Sequence, residues 1–319
     1  MIIRDFEPRH IEEATGIALE VYNHERTFTQ ELPEISSIPR LKQLSENGLG
    51  VAAFEGEKMV GYLCSVEPFE NVFRSTDVQG VFSPMGANGA VAENHGKIYA
   101  AMYQAAAKKW VKAGAVSHAI CLYGHDEEAK QQLFRYGFGM RCIDAIRPME
   151  TIDCAPCDGY EFLELPKEDH AYVYPLHLAL NKHYCSSPFF MNRKPDTQEE
   201  FLSFSEREKE RYFVAKKDGE LCAYLEVSNN GETFVASGDI YRHIMGAYCL
   251  PEHRGRGVYQ NLLNFVINTL KTEGYIRLGV DFESINPSGS GFWLKYFDAY
   301  TNSVVRRIDE RIMQRVSLI

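Results

Sequence analysis

The alternation of hydrophobic and polar residues predicts short strands interleaved with amphipathic helices. Apolar residues recur at helical spacing over 11–22, 97–112 and 258–272, the pattern of helices that bury one face. Short runs rich in Val, Ile, Leu and aromatic residues indicate strands between them. The polar segments 55–58 and 216–219 each join two such runs, which predicts two hairpins. The expected fold class is therefore α/β with a mixed sheet.

The order of predicted elements occurs twice along the 319 residues, with a period of about 155 residues. A chain of this length exceeds one ordinary hydrophobic core, so two domains are expected. Residues 151–158 contain the Pro and Asp content of a linker. We therefore predict domains at 1–150 and 159–319, built as two copies of one fold.

Composition and charge exclude several classes of protein. The formal net charge of −10 argues against a nucleic-acid partner, which needs clustered Lys and Arg. No apolar run approaches the length of about 18 residues that spans a membrane, and the first residues do not resemble a signal peptide. We expect a cytoplasmic protein without nucleic-acid or membrane partners. A homodimer stays open.

The eight cysteines are scattered, as in proteins of reducing compartments. Only Cys154 and Cys157 have the spacing of a metal or redox pair. No second pair of Cys or His follows at the distance typical of a zinc site, so no metal is expected.

A glycine-containing basic loop stands between a predicted strand, 243–249, and the helix that starts at 258. The first N–H groups of a helix have no intrahelical partner, and glycines let a backbone approach a phosphate closely. A strand, such a loop and a helix start together favour an anion-binding site.

This loop resembles the signature of the GNAT acyltransferase superfamily, roughly [QR]-x-x-G-x-[GA]. The sequence Arg254-Gly255-Arg256-Gly257-Val258-Tyr259 fits except at Tyr259, where the family carries Gly or Ala. The resemblance implies that backbone N–H groups of this loop bind the pyrophosphate of acetyl-CoA. Arg254 and Arg256 would add positive charge. It also implies that the edge of the preceding strand contacts the pantetheine and polarises the thioester carbonyl, at Tyr248, Cys249 and Leu250.

A second stretch resembles the family after the next strand. Asn286 follows that strand, and the helix after it carries Phe292 and Trp293. The resemblance implies that Asn286 contacts the donor. It also implies that Trp293 stands where many members have the Tyr that protonates the leaving thiolate. Tyr296, one turn later, is our substitute candidate for that acid.

Candidates for the base that deprotonates the amine are His243, Asp281 and Glu283, each of which has an ordinary structural alternative. Cys249 could suggest a covalent route, but its strand setting favours a buried, inert thiol.

The first half of the chain follows the fold pattern of the family, whereas its segment 83–90 lacks the spacing of the phosphate-binding loop. It is expected to be a degenerate copy.

The resemblance implies two tandem GNAT-like domains, of which the second transfers an acetyl group from acetyl-CoA to an amine by direct attack in a ternary complex. The acceptor is a small molecule or a peptide that the sequence does not identify, because a fold does not fix a substrate. The alternative is a non-catalytic protein that binds or senses acyl-CoA.

Overall fold

The computed structural model describes residues 1–72 and 78–318, and the chain divides into two compact units. The first unit comprises Met1–Ile143 and Ala299–Ile319, and the second comprises Asp144–Asp298. The two boundaries between the units fall within strands β7 (Gly139–Pro148) and β13 (Asp298–Ala299).

The first unit alternates strands and helices from its start. Its helices are α1 (Ile11–Arg26), α2 (Leu41–Glu46), α3 (His95–Lys112) and α4 (Glu127–Arg135). Its strands, besides the first half of β7, are β1 (Ile2–Asp5), β2 (Val51–Glu55), β3 (Lys58–Leu63), β4 (Gly80–Ser83), β5 (Asn88–Ala90), β6 (Ser117–Tyr123) and β14 (Thr301–Arg307). Short 3₁₀ segments lie at Pro8–His10 and Glu310–Leu318.

Strands of the first unit form an antiparallel group in the order β1-β2-β3-β5 and a second group in the order β4-β6-β14-β7. Helix α3 buries an aromatic and aliphatic face that includes Tyr99, Tyr103 and Trp110. The expectation that the helix over 97–112 buries one face is therefore confirmed. The Trp110 indole N–H donates to the Leu49 carbonyl at 3.1 Å, so its one polar atom is satisfied inside the core.

The second unit repeats the alternation. Its strands, besides the second half of β7, are β8 (Glu161–Glu164), β9 (Arg211–Lys217), β10 (Glu220–Ser228), β11 (Tyr241–Cys249) and β12 (Arg277–Glu283). Its helices are α5 (Tyr174–Cys185), α6 (Gln198–Glu208), α7 (Val258–Thr272) and α8 (Pro287–Tyr296), with 3₁₀ turns at Lys167–Val173 and Pro251–His253.

The sheet of the second unit has the order β12-β11-β10-β9-β8, and only β11 and β12 among these neighbours are parallel. Helix α7 contacts β8, β9 and β10, while α5 contacts β10 and β11. Both predicted hairpins are confirmed, since β2 pairs with β3 and β9 pairs with β10 in antiparallel register. The mixed α/β fold class is confirmed as well.

Two features differ from the sequence-based expectation. Residues from 299 onwards, predicted to belong to the second domain, fall in the first unit, because β14 pairs with β6 over its whole length from Thr301 to Arg307. Helix α6 was not predicted, although Thr197 and Glu200 form a reciprocal capping box at its start. That box was its sequence signal.

Candidate active site

The basic loop folds as a helix entry with two left-handed glycines. Gly255 and Gly257 have φ of +72° and +79°, values that residues with a Cβ rarely adopt. The first hydrogen bond into α7 runs from the Asn261 N–H to the Gly257 carbonyl at 3.1 Å. The N–H groups from Val258 to Gln260 precede it, and the N-cap Gly257 has no side chain to satisfy them. This turn therefore presents backbone donors and the positive end of the helix dipole, as an anion site requires.

Strands β11 and β12 pair only from Tyr241–Arg277 to Ile244–Val280 and then separate. The register of β11 against β10 shifts at Glu226/Val227, so Met245 is an extra residue on β11. Such a bulge bends the strand and increases its twist. A cavity of about 330 Å³ occupies the gap and is lined by both separated strands, by the loop and by helices α5 and α8.

Alternation along β11 determines which backbone groups reach this gap. The Leu250 N–H donates to the Cys222 carbonyl of β10 at 2.9 Å. In an antiparallel ladder every second residue faces the partner strand, so Tyr248 also faces β10, whereas Ala247 and Cys249 face away from it. Of the three predicted residues, Tyr248 and Leu250 therefore turn their N–H groups towards β10. Ala247, which the sequence analysis missed, and Cys249 have the suitable direction.

Burial raises the pKa of the Cys249 thiol to about 12. The thiol is therefore protonated at neutral pH and is a poor nucleophile. This agrees with the interpretation of Cys249 as a buried structural cysteine.

The two loop arginines have different settings. The Arg254 Nε donates to the Cys249 carbonyl at 2.8 Å, and its guanidinium lies over the Tyr248 ring at 5.2 Å. Arg254 therefore fastens the end of β11 to the loop while its charge stays exposed. Arg256 is exposed, and its carbonyl accepts from the Cys157 thiol at 3.4 Å. Both arginines leave positive charge beside the helix start.

Tyr259, the departure from the family pattern, points away from the loop. Its hydroxyl donates to the Tyr224 carbonyl of β10 at 3.1 Å. Its ring meets Phe292 and Trp293 of α8 edge-on, with centroids 5.1 and 6.0 Å away. The large side chain is accommodated between the sheet and α8, so it does not cover the N–H groups of the helix start.

Helix α8 supplies one wall of the cavity through Asn286, Phe292 and Trp293. Asn286 is the N-cap of α8, and its Oδ1 accepts from the Gly289 N–H at 3.0 Å. Tyr296 is not among the described residues that line the cavity, and its ring packs on Phe292 with centroids 5.1 Å apart. The structure therefore places Trp293, and not Tyr296, at the cavity wall.

The carboxylates of β12 form the opposite, acidic wall. Asp281 and Glu283 both line the cavity, and Arg193 lies 3.5 Å from Glu283 in an ion pair. His243 is absent from the described lining and is fully buried behind Asp281, which its Nε2 contacts at 2.9 Å. Of the three predicted base candidates, Asp281 and Glu283 reach the cavity.

Several lining residues were missed by sequence reasoning because nothing in their local pattern marks them. His183 and Tyr184 lie on α5, Arg193 follows α5, and Met245 is the bulged residue of β11. Burial and the neighbouring Arg254 lower the pKa of His183, so this imidazole adds no positive charge at neutral pH.

The sequence model of the acetyltransferase (GNAT) family matches residues 178–296, the stretch from α5 to α8 that surrounds the cavity. Residues 178–296 thus have the sequence pattern of a GNAT domain.

Solved structures extend the likeness in fold to both units. A GCN5-related N-acetyltransferase from Sphaerobacter thermophilus superposes with a TM-score of 0.60 at 14% identity, covering 96% of this chain and 95% of that chain. The glucosamine N-acetyltransferase region of a fungal multi-domain β-N-acetylglucosaminidase gives 0.52 at 14%, covering 95% of this chain but 38% of that one. No curated protein sequence matches the chain. The first unit thus resembles the GNAT fold as well.

In the first unit, side chains span the gap that corresponds to the cavity of the second unit. Strands β4 and β5 are successive pieces separated by residues 84–87, with β4 paired to β6 and β5 to β3. The buried Asn88 donates to the Cys121 carbonyl of β6 and to the Ser83 hydroxyl, each at 3.0 Å. The Tyr99 hydroxyl donates to Asn88 at 2.8 Å. Side chains bridge the gap here.

The start of α3, the counterpart of α7, is likewise engaged by side chains. Its first residue, His95, lies 2.9 Å from Asp126, the N-cap of α4.

Among the described residues, no group of three or more His, Cys, Asp or Glu side chains is arranged to hold a metal ion. No helix within 1–72 or 78–318 has the length and apolarity to cross a membrane.

Proposed function

We propose that the second unit is an acetyl-CoA-dependent N-acetyltransferase that acts on a primary amine. The observation that carries the proposal is one continuous site. The start of α7, which follows Gly255 and Gly257, leads into the cavity between the separated ends of β11 and β12. A pyrophosphate suits the donors of the loop, because Gly255 has open space around its Cβ position and Gly257 has no neighbour closer than 3.7 Å.

The residues of the cavity supply the functions that acyl transfer requires. The N–H groups of Ala247 and Cys249 face the gap, where a backbone donor polarises a carbonyl and stabilises its developing negative charge. The carboxylates of Asp281 and Glu283 provide negative charge that holds an ammonium group, and a carboxylate at this wall can accept its proton. Direct attack by the amine fits this arrangement, since the buried Cys249 thiol does not act as a nucleophile.

The acetyl donor binds once per chain in this proposal. In the first unit, hydrogen bonds of Asn88 and Tyr99 span the corresponding gap, which argues against a pantetheine arm between its strands. The first unit then serves as a scaffold. The acceptor is an amine of a small molecule or a peptide, and the protein functions in the cytoplasm.

The alternative is a protein that binds acyl-CoA without chemistry. Trp293 favours this alternative, because an indole cannot protonate a leaving thiolate. Tyr296 is not among the described residues that line the cavity. Direct transfer does not require that acid, since the thiolate can recover the proton that the attacking nitrogen loses.

Two measurements test the proposal. Acetyl-CoA at 100 times its Kd should stabilise the protein by about 2.7 kcal/mol, seen as a rise in Tm. Gly257→Asp places a carboxylate among the phosphate-binding N–H groups and should abolish the rise. Gly219→Asp is the matched control, because Gly219 has a similar φ of +85° with nothing near its Cβ position.

Release of the CoA thiol is then followed with a panel of alkylamines, amino acids, aminoglycosides and peptides. Acetyl transfer to any of them, lost in Gly257→Asp but retained in Gly219→Asp, is the expected result. Binding without thiol release from any acceptor would establish the non-catalytic alternative. A Tm rise that survives Gly257→Asp would contradict the assigned loop.

A further inference from the structure

A row of three hydrogen-bonded side chains leads from the buried sheet into the cavity. The Tyr241 hydroxyl lies 2.5 Å from His243 Nδ1, and His243 Nε2 lies 2.9 Å from Asp281 Oδ1. Tyr241 and His243 are buried, whereas the Asp281 side chain is 21% exposed and lines the cavity. The row ends where β11 and β12 stop pairing, since Asp281 directly follows Val280.

Two glycines stand beside this row at backbone positions where a Cβ atom would collide with its side chains. A Cβ on Gly279 would lie 1.7 Å from the Tyr241 hydroxyl and 2.7 Å from His243 Nδ1. A Cβ on Gly231 would lie 2.4 Å from the same nitrogen. Two glycines therefore enclose the imidazole, which has one position available to it.

The direction of each proton follows from burial. Burial raises the pKa of Tyr241 well above its ordinary value, so its hydroxyl keeps its proton and donates it to His243 Nδ1. An imidazole that accepts at Nδ1 carries its proton on Nε2, which donates to Asp281 Oδ1. One carboxylate oxygen is thereby fixed, and Oδ2 is the oxygen that a ligand in the cavity can reach.

We propose that Asp281 is the base that deprotonates the acceptor ammonium, and that His243 and Tyr241 are positioning residues that orient its carboxylate. This inference rests on the proposed acetyl transfer. His243 itself touches no ligand, because it lies behind Asp281 and outside the described lining of the cavity. Glu283 has a different role, because its partner Arg193, 3.5 Å away, makes it part of the charged wall that surrounds the acceptor.

The chemical step balances without any further reactant. Asp281 Oδ2 takes one proton from R–NH₃⁺, and the neutral nitrogen forms a bond to the acetyl carbonyl carbon. When the C–S bond breaks, the sulfur leaves with the electron pair and takes the second proton from nitrogen. Asp281 then releases its proton to solvent. The sum is R–NH₃⁺ plus thioester giving acetamide, thiol and H⁺.

Kinetics of variants of the full chain separate the two roles, using the most active amine of the panel. Asp281→Asn should lower kcat by about 10²- to 10⁴-fold, the usual worth of a general base, with the KM for acetyl-CoA unchanged. Asp281→Ala should recover part of its activity in added formate. His243→Gln keeps an N–H donor towards Asp281 and should retain most activity, whereas His243→Leu should lose about 10- to 100-fold.

His170→Gln is the control for substitution of a buried histidine, because His170 binds Ser205 at 3.1 Å and lies off the described cavity lining. An active Asp281→Asn variant would overturn the assignment of the base. A His243→Gln variant as inactive as Asp281→Asn would overturn the positioning role, since glutamine cannot transfer a proton as imidazole does.

An independent readout does not depend on activity. The ¹⁵N spectrum of His243 in the free protein at pH 8 should show an unprotonated Nδ1 and a protonated Nε2, and Tyr241→Phe should populate the other tautomer. A protonated Nδ1 in the wild-type protein would overturn the inference. If the expected tautomer is found but no amine is acetylated, the proposed function fails and the chemical role of Asp281 fails with it, while the orienting contacts stand.

Discussion

At the scale of single residues, whether a motif residue has the expected role depends on where its side chain packs. Tyr259 breaks the family pattern, yet its ring turns towards Phe292 and Trp293 and leaves the helix start open. His243 and Glu283 were both candidates for a base, and both are buried, but of the two only Glu283 lines the cavity. A local motif specifies backbone shape. The direction of a side chain depends on packing partners that lie far away in the sequence.

Glu210 provides a prediction at this scale. It is buried and accepts from Ser228, and burial raises its pKa to about 7 from an ordinary value of 4.5. The folded state then binds more protons than the unfolded state between these pH values, so this group lowers stability as pH rises from about 4.5 to about 7. A shift of that size corresponds to about 3 kcal/mol.

Glu210→Gln removes the titration and keeps the polar contact. The free energy of unfolding of the variant should exceed that of the wild type by up to about 3 kcal/mol at pH 8, and the difference should vanish near pH 4. Urea unfolding at several pH values measures it. Glu220→Gln, at an exposed position of β10, is the control. An equal difference at both pH values would show that the ionisation of Glu210 is not the cause.

Secondary-structure elements were predicted well where periodicity is strong. Helix α7 spans Val258–Thr272 as expected, and both hairpins form. Helix α6 was not predicted from periodicity, and the capping box at its start was the better signal. The separation of β11 from β12 depends on a bulge at Met245, and a single extra residue leaves no clear periodic trace in the sequence.

The prediction at the scale of elements concerns Gly279 of strand β12. Gly279→Ala would drive a methyl group into the Tyr241 hydroxyl, so it should destabilise the protein by about 1–3 kcal/mol and reduce acetyl transfer without changing the affinity for acetyl-CoA. Gly139→Ala is the control, because Gly139 is also a strand glycine and has nothing within 4 Å of its Cβ position. Unfolding and thiol-release assays on both variants provide the comparison. Equal behaviour of the two would contradict the packing of the row.

At the scale of the whole molecule, one fold pattern occurs twice with different outcomes. In the second unit the gap between strands is an open cavity beside a glycine loop, whereas in the first unit Asn88, Tyr99 and Cys121 bridge it. The sequence predicted the repetition and the missing loop of the first half. It could not predict that residues from 299 onwards belong to the first unit, because a strand pattern does not name its partner strand.

The measurement that tests the central claim most directly is a calorimetric titration of the full chain with acetyl-CoA. One site in the second unit predicts a stoichiometry of one acetyl-CoA per chain for the wild type and for Gly219→Asp, and no binding to Gly257→Asp. Binding of two molecules per chain, or undiminished binding to Gly257→Asp, would contradict it.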